Sequence, residues 1–126
     1  MKILMHSETD ITMSEFDAPA FDIETAPGAE AHYSALQMFA TSLGLCTASV
    51  LMAYAEQISV ATEGLQVRLR WQYAEKPFRV GGMEMDIVWP SLPENRLRAA
   101  ERAASQCTIH NTLHHPPELV TRVQNG

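Results

Sequence analysis

The chain has 126 residues, of which 46% are hydrophobic and 19% charged, and it carries a formal net charge of -6 with a pI near 5.2. That length predicts one domain over residues 1–126, and the composition predicts a packed core rather than long disorder. An acidic chain without basic clusters argues against nucleic acid or an anionic membrane as partner, and two cysteines are too few for a secreted disulfide scaffold.

The opening "MKILMHSETD" has one lysine and no adequate apolar run, so it does not read as a signal peptide. The expected location is cytoplasmic, where a lasting structural disulfide is not expected. Ile3–Phe16 reads as a short pair of strands. "APGAEAHYS", Ala26 to Ser34, reads as a loop around Pro27 and Gly28. Ser34, with Gln37 three residues later, forms a candidate capping box for a helix reaching about Gln57. Within it, Leu36–Ala55 is almost wholly apolar or small and nearly long enough for a bilayer. Gln37, Thr41, Ser42, Thr47 and Ser49 interrupt it and no basic residue flanks it closely, so it reads as a soluble helix buried on nearly all sides.

"LQVRLRWQY" alternates, with Leu65, Val67, Leu69, Trp71 and Tyr73 on one face and Gln66, Arg68, Arg70 and Gln72 on the other. After a turn around Pro77, "GGMEMDIVW" resumes the period, with Met83, Met85, Ile87 and Trp89 opposite Glu84, Asp86 and Val88. The two form a predicted antiparallel hairpin whose arginines face its carboxylates. "SLPENRLRAAERAASQC" predicts a second helix, with Ser91 and Glu94 as its capping box. Its apolar stripe is Leu97, Ala100, Ala104 and Cys107. "ELVTRV" reads as a closing strand. Strands, a buried helix, strands, a helix and a last strand make an α+β fold with helices packed on an antiparallel sheet.

Cys46 lies in the long helix and Cys107 at the end of the second. Both suit packing, since cysteine behaves as a small hydrophobe; a redox pair is the sharper reading. In that chemistry a thiolate attacks a peroxide and becomes a sulfenic acid, a second thiol condenses with it, and an external dithiol resets the pair. Attack near neutral pH needs a field that stabilises the thiolate, whereas burial alone raises the thiol pKa. Cys107, His110, His114 and His115 are zinc-type ligands in one short stretch, but their spacing is loose and they read better as a polar loop, with His110 as a possible thiol activator. The methionines read as filler, and Trp71 and Trp89 as core or as lining for an apolar substrate tail.

The buried helix with "LGLCTASVLMAYA", the alternating hairpin, the amphipathic helix and then "CTIHNTL" resemble the OsmC/Ohr family, osmotically inducible and organic hydroperoxide resistance-like proteins, over about Ser34 to Val123. The resemblance implies an intertwined homodimer with an active site at each interface. It implies Cys46 as the peroxidatic cysteine, Cys107 as the resolving one, organic hydroperoxides as substrates, a dithiol as reductant, and no metal or flavin. The chain departs from the family in two places. Leu36, beside Gln37, stands where peroxidase members carry a glutamate, and the first arginine is Arg68, so the N-terminal loop lacks the family's thiolate-holding arginine. The kept thiols point to a hydroperoxide reductase. The missing partners point to an alternative, a family member without peroxidase activity that binds a small apolar or thiol ligand at the interface.

Overall fold

A computed structural model describes all residues from Met1 to Gly126. Alternation of apolar and polar residues makes the first hairpin: Ile3 and Met5 of β1 (Lys2–Ser7) and Ile11 and Met13 of β2 (Asp10–Ser14) are buried on one face. The short strand β3 (Asp22–Thr25) runs parallel to β1, so the sheet is mixed at this edge rather than wholly antiparallel. Its residues are all exposed, which removes the burial pattern that would have betrayed it in the sequence.

The predicted hairpin forms from β4 (Gln66–Ala74) and β5 (Arg79–Val88). The strand order across the sheet is β3-β1-β2-β4-β5. Arg68 lies opposite Asp86 and Arg70 opposite Glu84, as the alternation predicts. Arg70 pairs with Asp86 and, at 3.5 Å, with Glu84. Arg68 turns the other way, toward β2, and forks onto both carboxylate oxygens of Asp10 at 2.9 and 2.7 Å. That fork holds the Asp10 carboxyl below the usual carboxylate range. These pairs lie on the outer, wet face of the sheet and contribute little to stability individually. Tyr73 leaves the core face after a register shift and stacks on Phe78 beside the turn, with ring centroids 5.0 Å apart.

Helix α1 (Ala35–Ile58) lies across the inner face. Ser34 begins it: its backbone N–H and its hydroxyl both donate to Gln37 Oε1, at 2.9 and 2.8 Å. The Gln37 amide in turn donates to Glu8 O at 2.6 Å, tying the helix start to the β1–β2 turn. α1 is long and apolar enough to cross a bilayer by length and composition, but here it packs on the sheet through Ala40, Leu43, Gly44, Ala48 and Leu51. Thr41 and Thr47 are buried there without penalty, each hydroxyl donating to the carbonyl one turn back, of Gln37 and Leu43.

The C-terminal third departs most from expectation. The Ser91 capping box does not form: a 3₁₀ turn at Glu94–Arg96 follows Pro93, and α2 runs only over Leu97–Ala104. Ala100 and Ala104 are buried, but Leu97 is 52% exposed because it stands at the rim of the contact. A third helix, α3 (Thr108–His114), occupies the stretch read as a polar loop. "ELVTRV" forms no strand, for no sheet edge of the same chain lies against it to supply hydrogen bonds; Leu119, Val120 and Val123 are exposed.

Gly44 marks the closest approach of α1 to the sheet. A side-chain carbon there collides with Met13 Sδ and comes within 2.9 Å of Leu69 Cδ1, both fully buried. Gly44→Val is therefore expected to destabilise the fold by about 1–3 kcal/mol, the usual cost of overpacking a full core. A urea unfolding midpoint lowered at unchanged slope is the expected result.

Candidate functional site

Cys46 and Cys107 are 61 positions apart in sequence (107 minus 46) but meet in space. Cys46 projects from the middle of α1 and is partly exposed; Cys107 is fully buried. Helix α3 brings them together. Its N-cap is Cys107 itself, in extended backbone, so its first amides point at the sulfurs. The His110 N–H donates to Cys107 Sγ at 3.4 Å. The Cys107 thiol and the N–H groups of Ile109 and Thr108 lie near enough to Cys46 to favour its ionised form. Both cysteines are free thiols, and each biases the ionisation of the other.

The pair is electrostatically unequal. Burial pushes the Cys46 thiol up, but the Cys107 S–H and the two α3 amides outweigh burial and bring it below the ordinary thiol value. Burial pushes Cys107 up, its role as donor to Cys46 pushes it further, and the His110 and Ile109 amides offset this only in part. Cys46 is thus the more acidic thiol of the pair and Cys107 the less acidic. No charged side chain of the chain contributes to the lowering at Cys46; the field comes from a thiol and a helix N-terminus.

The other residues singled out by sequence lie elsewhere. Leu36 and Gln37 serve packing and the helix start. Arg68 and Arg70 are engaged on the outer sheet face. His110 acts through its backbone N–H, not its ring, which lies against His114 with centroids 4.7 Å apart. Cys107, His110, His114 and His115 do not converge as a ligand set, and no three His, Cys, Asp or Glu side chains do. Met83 and Met85 pack on the sulfur-side core, while Met38 is 54% exposed. Trp71 is core, and Trp89 lines a small cleft, its Nε1 donating to Ala61 O at 2.8 Å. Sequence reasoning missed the amides of Thr108, Ile109 and His110, because backbone groups leave no residue signature; the i,i+4 spacing of Ile109 with Leu113 and of His110 with His114 was the available sign of a helix.

A mixed sheet carrying a long internal helix, with one thiol on that helix and another capping a short one, defines an OsmC-like protein. The OsmC-like protein family model matches residues 28–122, and the chain belongs to that family. Among solved structures, the chain is similar to an OsmC-like hydroperoxide resistance protein from Jannaschia sp. CCS1, at 26% identity and a TM-score of 0.60, covering 74% of this chain and 67% of that one. It is also similar in fold to a Psychrobacter arcticus 273-4 protein described as a candidate osmotic stress induced and detoxification response protein. Identity there is 19% and the TM-score 0.59, covering 69% of this chain and 62% of that one. The chain thus spans about two thirds of the length of these relatives. No curated protein matches it in sequence.

Removing the thiol donor tests the inequality of the pair. Cys107→Ala is expected to raise the apparent pKa of Cys46 toward or above about 8.5, the value of a free cysteine. The rate of iodoacetamide labelling at Cys46 then rises with pH along a curve displaced to higher pH than in the unaltered chain.

Proposed function

We propose that the protein reduces organic hydroperoxides with Cys46 as the attacking thiolate, Cys107 as the resolving thiol and an external dithiol as reductant. The mutual influence of the two thiols, with Cys46 the more acidic, carries this reading. The Cys46 thiolate attacks one peroxide oxygen, the O–O bond breaks, and the alkoxide leaves with a proton as alcohol, which makes Cys46 a sulfenic acid. The Cys107 S–H gives that proton and becomes the second thiolate. That thiolate attacks the Cys46 sulfur, an S–S bond forms, and hydroxide leaves and takes a proton from solvent to become water; two electrons and two protons from the dithiol then restore both thiols.

The partly exposed Cys46 sits on a helix whose free side mixes apolar and small polar residues: Met38 is 54% and Leu45 38% exposed, Phe39 and Val50 are half covered, and the exposed Ser42 and Ser49 turn their hydroxyls back to helix carbonyls. We read that side as the interface of a homodimer, so that a second copy closes the pocket over Cys46 and receives the apolar tail of the substrate. Sedimentation at low micromolar concentration is expected to give twice the chain mass.

The absence of a charged partner for Cys46 favours slow turnover, and it is the observation that keeps the ligand-binding reading in play. Cumene hydroperoxide separates the two. Cys107→Ser is expected to accumulate a dimedone adduct at residue 46, Cys46→Ser to show none at residue 107, and the unaltered chain to form an intramolecular disulfide that dithiothreitol reverses. Neither adduct nor disulfide after excess peroxide overturns the reductase and leaves the ligand-binding reading.

A further inference from the structure

The proposed reaction uses His110 only through its backbone N–H, which leaves the imidazole to a different task. The chain has five histidines, and three of them, His110, His114 and His115, lie on α3 or at its end. His110 and His114 are spaced i,i+4, so they project from one side of the helix, one turn apart. Their ring centroids are 4.7 Å apart and their planes are tilted by 39°. His6, by contrast, spends its ring on the sheet, with Nε2 at 2.7 Å from Thr12 Oγ1. His114 is exposed and His110 half-buried, so solvent reaches the pair.

The spacing of the rings has a chemical meaning. Imidazole nitrogen binds a first-row divalent ion at about 2.0–2.1 Å, and the ring centre lies roughly 1.1 Å behind that nitrogen. Two imidazoles at a right angle on one ion therefore have centroids roughly 4.5 Å apart, and two at a tetrahedral angle roughly 5.2 Å. The observed 4.7 Å is nearer the right-angle value, the arrangement of tetragonal ions. The geometry points to a chelate for a tetragonal divalent cation, Ni²⁺ or Cu²⁺, held across one turn of α3 by the imidazoles of His110 and His114, with water in the remaining positions. Two histidines at i,i+4 on a helix are a known metal-ligand spacing, and imidazole suits both ions. The net charge of -6 favours cation uptake. His115 stands one residue off the spacing.

The chelate also acts on the helix. α3 has seven residues, buries none of them fully and is capped by the Cys107 sulfur, and so short a helix has little stability of its own. An ion spanning His110 and His114 clamps the turn that the cap does not reach, and so orders the helix whose first amides bias the two thiols. This holds whether or not the thiols reduce a peroxide.

The test uses the untagged chain with Cys46→Ser and Cys107→Ser, which removes thiolates as competing ligands and keeps a good N-cap on α3. The probe is Ni²⁺, followed by titration calorimetry and by hydrogen exchange of the Asn111 and His115 amides, which close the turns of α3. One ion per chain is expected, with exchange slowed at both amides. His114→Gln, on an exposed residue, and His110→Gln are each expected to weaken binding at least about tenfold, since each reduces a two-point attachment to one. His115→Gln is expected to leave it unchanged. Binding no tighter than that of the doubly substituted His110→Gln, His114→Gln chain overturns the proposal, as does equal weakening by His115→Gln. Uptake without slowed exchange places the ion elsewhere and overturns it too. One ion per two chains replaces the chelate within α3 by a bridge between copies, which also overturns it.

Discussion

The seating of α1 on the sheet at Gly44 is the contact on which the site depends. Without a side chain at that position, the helix backbone settles between Met13 of β2 and Leu69 of β4, neighbouring strands that flank α1 in the sequence. Cys46 is two residues further along the same helix, so the height and rotation of its sulfur over the core follow from that approach. The anchoring of Gln37 to Glu8 O sets the helix at its other end. Between these fixed points the helix has no freedom to slide. A thiol whose chemistry depends on amides a hydrogen bond away needs that rigidity.

Around the thiol pair, the chain does with dipoles what charged side chains do elsewhere. Two amides of α3 and one thiol proton oppose a burial penalty and win, but with partial charges rather than a full cation. An arrangement of this kind suits an apolar surrounding: it lowers the pKa of Cys46 without a buried unpaired ion that would cost more than it stabilises. Cys107 links both halves of the arrangement. It starts α3, thereby aiming the amides, and its thiol helps to lower the pKa of Cys46.

The unfinished β5 edge and the unfinished face of α1 share a cause. A sheet of five strands covers one side of a 24-residue helix, and two short helices cover part of another. What remains mixes apolar with small polar residues on the helix, is half covered on β5 and is fully exposed on the tail. Each surface is marginal in one copy of the chain, and the homodimer proposed above is one way to cover it.

The sequence by itself determined the elements with strong periodicity and their partners. The alternation from Leu65 to Trp89 settled the hairpin, its faces and the opposition of Arg68 and Arg70 to Asp86 and Glu84, because a period of two leaves no choice of face. The apolar run after Ser34 settled the buried helix, and the Ser34–Gln37 spacing its start. Only the tertiary structure decided the rest. β3 is held by backbone pairing alone and buries nothing, so no side-chain pattern announces it. α2 stops at Ala104, and α3 begins at Cys107, because Cys107 is drawn into the core against α1 and caps a new helix there. The resemblance implied different roles for the two thiols, but the physical ground of their inequality is tertiary. It arises from amides and a thiol brought together across 61 positions, and which sulfur is the more acidic is a property of that meeting, not of either residue.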